Sequence, residues 1–236
     1  MMKIVILAGG LGTRISEETE NKPKPMVLID ENPILWHLMN IFSKQEYTDF
    51  VLALGYKQEV ARDWVETFKN DQNWSIDAFD TGIETQTGGR IKRCMRRYPD
   101  QRLLVTYGDG LANVSIKKLL DFHASHGKLA TVTAVRPPAR FGYLHLEENR
   151  VTKFGEKIQS DEGWINGGFF ILEPKVLDFI YSDSDLFETS SLPELARVGE
   201  LMAFKHHAFW KPMDTLREKN ELEELARQTL PPWLNL

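Results

Sequence analysis

Residues 3–14 read Lys3-Ile4-Val5-Ile6-Leu7-Ala8-Gly9-Gly10-Leu11-Gly12-Thr13-Arg14, and a basic block, Lys22-Pro23-Lys24-Pro25-Met26, follows shortly after. The run Ile4–Leu7 is apolar and mostly β-branched, as suits a strand buried on both faces. Gly9, Gly10 and Gly12 carry no Cβ, so the loop after the strand can turn tightly and bring backbone N–H groups close to an anion. Arg14 and Lys24 add the positive charge that a triphosphate needs. A buried strand running into such a loop predicts an α/β fold that binds phosphate at strand ends. The bland alternative is a tight turn without a ligand. Neither widespread phosphate loop is present: GxxxxGK[ST] is absent, and Thr13-Arg14-Ile15 follows Gly12 where GxGxxG needs a third glycine.

Outward from this stretch, strand-like and helix-like patterns alternate. Strands are expected at Lys3–Leu7, Phe50–Ala53, Ser75–Asp80, Arg102–Thr106, Ala130–Val135, Val151–Phe154 and Gly167–Leu172. Helices are expected at Ile34–Ser43, Gln58–Phe68, Arg90–Tyr98, Ile116–His126, Pro174–Tyr181, Pro193–Val198 and Thr215–Arg227. This order predicts a Rossmann-like, doubly wound, mostly parallel sheet. Arg140–Glu148, Val151–Glu156 and Gly167–Glu173 are expected to form a small antiparallel element above it. One domain is expected to span residues 1–236, with the apolar end Pro231–Leu236 packed on its own core.

Composition narrows the function. The chain has 236 residues, 42% hydrophobic and 27% charged, with a net charge of −5. That balance argues against a general nucleic-acid binder. Cys94 is the only cysteine, so no intrachain disulfide or cysteine metal cage is possible, and a reducing cytoplasm fits. No run reaches the roughly 20 apolar residues of a membrane span, and Ile4–Ala8 is too short for a signal peptide. The six histidines form no ligand set. His123 and His126 share a helix face without a nearby carboxylate, so packing is their expected role.

Two further segments carry chemistry. In Val105-Thr106-Tyr107-Gly108-Asp109-Gly110, a carboxylate ends a strand between glycines. That suits Mg²⁺, which takes one or two carboxylates plus substrate phosphates; the alternative is an Asp-Gly turn. In Trp210-Lys211-Pro212-Met213-Asp214-Thr215-Leu216-Arg217, Asp214 can cap the helix that follows, or serve as the partner carboxylate. Thr87-Gly88-Gly89-Arg90 suggests a third loop, with glycines open to a ligand.

The composite GGxGTR…PKPM resembles the N-terminal motif of the sugar-phosphate nucleotidyltransferases, and Thr87-Gly88-Gly89-Arg90 is similar to the cytidylyltransferase branch. YGDG, P-P-x-R-F-G (Pro137–Gly142), Ile165-Asn166-Gly167-Gly168-Phe169-Phe170 and W-x-P-M-D-T-L-R extend the resemblance nearly end to end. It implies nucleotide contacts from Leu7, Ala8, Gly9, Gly10, Leu11, Gly12, Thr13, Arg14, Lys24 and Gly108, and from Thr85, Gly88 and Arg90 around the base. It implies catalytic roles for Arg14, Lys24 and Asp109, and Mg²⁺ held by Asp109 and Asp214. Sugar-phosphate contacts would come from Gly142, Glu156, Lys157 and Asn166 beneath the antiparallel element. The chain departs from the pattern in two places. Ile158 follows Lys157 where relatives have Pro, and the segment from Gly55-Tyr56-Lys57 to Asp80-Thr81-Gly82 is shorter than the family's. The implied activity joins an NTP, by resemblance CTP, to a sugar-1-phosphate, by resemblance glucose-1-phosphate, in a cytoplasmic homo-oligomer. Two alternatives stay open: another base or acceptor, such as dTTP or UTP, and a non-catalytic subunit that only binds NDP-sugar.

Overall fold

The computed structural model describes residues 2–68, 73–137, 143–155 and 163–236. In chain order it contains β1 (Lys3–Ala8), α1 (Ser16–Thr19), β2 (Leu28–Ile29), β3 (Asn32–Pro33), α2 (Ile34–Ser43), β4 (Asp49–Leu54), α3 (Gln58–Phe68), β5 (Ser75–Asp80), α4 (Thr87–Arg97), β6 (Leu103–Tyr107), β7 (Gly110–Ala112), α5 (Ile116–His126), β8 (Ala130–Val135), β9 (Tyr143–Glu147), β10 (Arg150–Gly155), β11 (Ile165–Asn166), β12 (Phe170–Leu172), α6 (Ser191–Arg197), β13 (Leu201–Lys205), β14 (Trp210–Pro212) and α7 (Leu216–Ala226).

β1 lies at the centre of an eight-stranded sheet, parallel to β4 on one side and β6 on the other. β5 extends the sheet beyond β4, also parallel. Side chains alternate across the pleat. Ile4, Ile6, Phe50 and Leu52 face α2 and Trp233, while Val5, Leu7, Val51 and Val105 face α4 and α6. Helices cover both faces, which is why β1 is a continuous apolar run. The tail packs as expected: Trp233 is fully buried, edge-on to His37.

The third piece of the expected antiparallel element goes elsewhere. β9 and β10 pair with each other as a two-stranded ribbon. β11 and β12 instead enter the main sheet, β12 running antiparallel between β6 and β8. Phe170, Ile171 and Leu172 are consecutive and apolar, so they need cover on both faces, and all three are fully buried there. Gly167–Phe169 bulge out between the two short strands, with φ of +76° at Gly168 and +46° at Phe169.

Among the strands that lay beyond the sequence patterns, two bear on the sheet edge and the site. β13 closes the sheet edge parallel to β8, although Leu201–Lys205 has no β-branched residue. β14 pairs with β7, and the Met213 N–H donates to the Asp109 carbonyl at 2.8 Å. That pairing places Asp214 next to Asp109. Among the described residues no helix is long and apolar enough to cross a membrane.

Candidate active site

The C-terminal ends of β1 and β6 open into a cavity of about 680 Å³. Gly9–Arg14 form one wall. Gly12 has a φ of +65°, and a Cβ there would press on Thr19 Cγ2 at 3.0 Å and Lys24 Cβ at 3.1 Å, so the turn at this point favours glycine. No backbone hydrogen bond among the described residues uses the N–H of Gly10, Leu11 or Gly12. These donors edge the cavity as an anion-binding loop requires.

Lys24 is the charged centre. It opens a short 3₁₀ turn, Lys24–Met26, held between Pro23 and Pro25. Its Nζ donates to Asp109 Oδ2 at 2.6 Å and to Asp214 Oδ1 at 2.7 Å. Arg14, largely exposed, donates to Asp214 Oδ2 at 2.8 Å. Burial works against the charge on Lys24, but the two carboxylates outweigh it and hold its pKa above the ordinary lysine value. The structure brings Arg14, Lys24, Asp109 and Asp214 together, though they come from separate parts of the chain.

Asp214 is not the helix cap. Thr215 caps α7 in a capping box, accepting from the Glu218 N–H at 3.2 Å, while Glu218 Oε2 accepts from the N–H groups of Asp214 and Thr215. The Asp214 carboxylate is therefore available to the cavity cations. Asp109 and Asp214 converge on one positive charge, and both offer hard oxygen donors. Such a pair fits a divalent ion of the Mg²⁺ kind. Among the described residues no group of three or more His, Cys, Asp or Glu side chains surrounds such a point. Phosphate and water oxygens would have to supply the remaining coordination.

Of the loop around α4, Thr85 and Arg90 line the cavity and Gly88 does not. Arg90 is buried, and its guanidinium donates to the carbonyls of Gly9 at 2.9 Å, Leu54 at 3.0 Å and Ile83 at 3.3 Å, and also to Thr81 Oγ1. It clasps the loops after β1, β4 and β5 from beneath. A Cβ on Gly9 would lie 2.1 Å from Arg90 Nη1, so a side chain there would have to displace the arginine under it. Gly88 does not line the cavity. Its N–H donates to the Asp185 carbonyl at 2.9 Å, and a Cβ there would meet that oxygen at 2.7 Å. Gly88 and Gly89 thus admit the segment around Asp183–Asp185, not a base. Thr85 and Gln86 do line the cavity, as do Leu7 and Gly108. Ala8 is buried in the core beside them.

Asn166 stands on the far side of the cavity with Tyr107, Glu188 and Trp210. The last three were not assigned site roles from sequence. Glu188 carries no local motif, and Trp210 reaches the cavity only because β14 pairs with β7. Burial, and after it Glu188, raise the Tyr107 pKa well above that of a free phenol. Gly142, Glu156 and Lys157 lie outside the described residues. Cys94 is buried, which pushes its thiol pKa up to about 12, and it takes no part in the site.

A phosphate loop at the head of a doubly wound sheet, facing a cation bracketed by two carboxylates, defines a nucleotide-handling site. The chain belongs to the nucleotidyl transferase family, whose model matches residues 3–215. It is 46% identical, over 253 aligned positions covering 98% of both chains, to glucose-1-phosphate cytidylyltransferases from Salmonella typhi and Salmonella typhimurium. The alignment is longer than this chain, so those relatives carry residues that it lacks. Among solved structures, HddC from Yersinia pseudotuberculosis superposes with a TM-score of 0.76 at 29% identity, covering 95% of this chain and 99% of that one. HddC has also been solved complexed with GMP-PN.

Proposed function

We propose that this chain transfers the cytidylyl group of CTP to glucose-1-phosphate, giving CDP-glucose and pyrophosphate. The observation that carries the proposal is the meeting of Arg14, Lys24, Asp109 and Asp214 at the mouth of the Gly9–Gly12 loop. The likeness to glucose-1-phosphate cytidylyltransferases along nearly the whole chain supports the choice of base and sugar.

The acceptor phosphate is already anionic, so its oxygen attacks the α-phosphorus without a protein base. A P–O bond to the sugar phosphate forms, the bond to the β-phosphate breaks, and pyrophosphate leaves. What the protein must supply is alignment of two anions and relief of their repulsion. In this reading the loop N–H groups and Arg14 hold the β- and γ-phosphates. Lys24, stiffened by its flanking prolines, meets charge growing at the α-phosphate. Asp109 and Asp214 would hold Mg²⁺, which when bound neutralises phosphate oxygens. Lys157 would steer the acceptor phosphate, and Glu156, Asn166 and Gly142 would meet sugar hydroxyls.

The test is a panel of four NTPs against several sugar phosphates, read as pyrophosphate release. CTP with glucose-1-phosphate should lead, with CTP at least about tenfold above UTP in kcat/KM, because a wrong base leaves hydrogen-bonding groups unpaired. Equal use of CTP and UTP would reject the cytidylyl assignment while leaving nucleotidyl transfer standing. A guanine nucleotide belongs in the panel, since the HddC complex holds GMP-PN. Absence of pyrophosphate release with every pair would favour a subunit that only binds NDP-sugar.

A further inference from the structure

Across the cavity from Lys24, a chain of hydrogen bonds ties the start of α4 to β11. Thr87 Oγ1 donates to Glu188 Oε2 at 2.6 Å, and the Tyr107 hydroxyl donates to Glu188 Oε1 at 2.6 Å. Asn166 Nδ2 donates to the Tyr107 oxygen at 2.9 Å, and Asn166 Oδ1 accepts from the Gly168 N–H at 2.9 Å.

The direction of every bond in this chain follows from its origin. A carboxylate only accepts. The Tyr107 proton must therefore point to Glu188, which leaves the phenol oxygen as an acceptor toward Asn166. The carboxamide must in turn present its NH₂ to Tyr107. A flipped Asn166 would put an oxygen against an oxygen whose proton is spent, and an NH₂ against the Gly168 N–H. Fixed this way, Asn166 retains one N–H and one lone pair for a ligand. That is the pattern a pair of neighbouring sugar hydroxyls requires. The burial of Tyr107, which keeps its proton in place, stiffens the relay.

We infer that Glu188 is a positioning residue for the acceptor. Through Tyr107, and jointly with the Gly168 N–H, it fixes which end of Asn166 donates and which accepts toward the sugar, without touching the sugar itself. This rests on the reading of the cavity as a nucleotidyltransferase site with the sugar beside Asn166. A Gln at 188 can donate as well as accept, so the Gly168 N–H alone is left to orient Asn166.

The experiment is steady-state kinetics on the full chain with the best nucleotide and sugar phosphate of the wild type, comparing Glu188→Gln, Asn166→Ala and the double variant. Glu188→Gln should raise KM for the sugar phosphate about tenfold, as expected for one misdirected hydrogen bond. KM for the nucleotide should stay within about twofold by the same arithmetic. Added to Asn166→Ala, Glu188→Gln should cost nothing more, because its effect passes through that side chain. Full additivity in the double variant, or equal movement of both KM values, overturns the role of Glu188 alone. A wild type that turns over no sugar phosphate overturns the reading of the site. Should Glu188→Gln fail to fold, Tyr107→Phe interrupts the relay one bond further on and must show the same split between the two KM values.

Discussion

The carboxylate of Asp214 points away from the helix beginning beside it and holds Arg14 and Lys24 at 2.8 and 2.7 Å. Capping is left to Thr215 and Glu218. Capping, one of the two duties the sequence offered to Asp214, thus falls to its neighbours, and mutation can separate it from the carboxylate's contacts in the cavity. Thr215→Ala should cost about 1 kcal/mol of stability, the usual worth of a cap, while kcat stays near normal. Asp214→Asn should do the reverse. It leaves the cap whole but should cut kcat more than about tenfold and raise the Mg²⁺ needed for half-maximal rate. Thermal melts and Mg²⁺ titrations of both variants check this. An Asp214→Asn enzyme of full activity and lowered Tm would return Asp214 to a structural role.

Among the elements, α2, α3 and α5 match their sequence boundaries because amphipathic periodicity marks them. α4 begins earlier than its pattern, at Thr87. Gly88 and Gly89 are poor helix formers, and what recruits them is the docked segment around Asp183–Asp185. No local signal reports a partner almost a hundred residues away in the chain. The two kinds of glycine should therefore respond oppositely. Gly88→Ala places a methyl 2.7 Å from the Asp185 carbonyl oxygen, a backbone atom that cannot swing aside, and should destabilise by about 1–3 kcal/mol. Gly10→Ala meets nothing within 4 Å, so it should leave Tm unchanged and raise KM for the nucleotide. Calorimetry with initial-rate kinetics distinguishes them. A Gly88→Ala chain as stable as the wild type would contradict the docking account.

At the scale of the whole molecule, one polar network ties α5 to the sheet. The Lys128 N–H donates to His126 Nδ1 at 2.9 Å, so His126 Nε2 carries the proton and donates to Thr131 Oγ1 at 2.8 Å. Thr131 then donates to His123 Nδ1 at 2.7 Å, and His123 Nε2 donates to Glu173 at 3.0 Å, beside Arg102. The carboxylate partner absent near His123 in the chain arrives from beyond β12. Both rings are neutral in this arrangement. Burial pulls the pKa of His123 below the ordinary 6.5 despite Glu173, and burial and then His123 do the same for His126. Depressed folded values mean that the unfolded chain takes up protons first. Stability from these groups is complete above pH 6.5 and is lost as pH falls below it. The urea midpoint should drop between about pH 7.5 and about pH 5.5, and His123→Gln should remove part of that drop. A midpoint that rises on acidification would refute the neutral relay.

What the sequence determined by itself was local. A β-branched run must be buried, glycines must line a tight phosphate loop, and amphipathic repeats must form helices, because each of these follows from neighbouring side chains and backbone sterics. The family motifs added the four charged residues of the site. Tertiary structure alone decided how they meet. The β7–β14 pairing sets Asp214 against Asp109, β12 enters the main sheet to bury Phe170–Leu172, and Arg90 reaches under the Gly9 loop. The Glu188–Tyr107–Asn166 relay likewise exists only once β6, β11 and the segment before α6 share one cavity. The physical reason is common to all of these. Burial and hydrogen-bond satisfaction depend on which distant segments come together, and a residue's spacing from its neighbours in the chain carries no record of that.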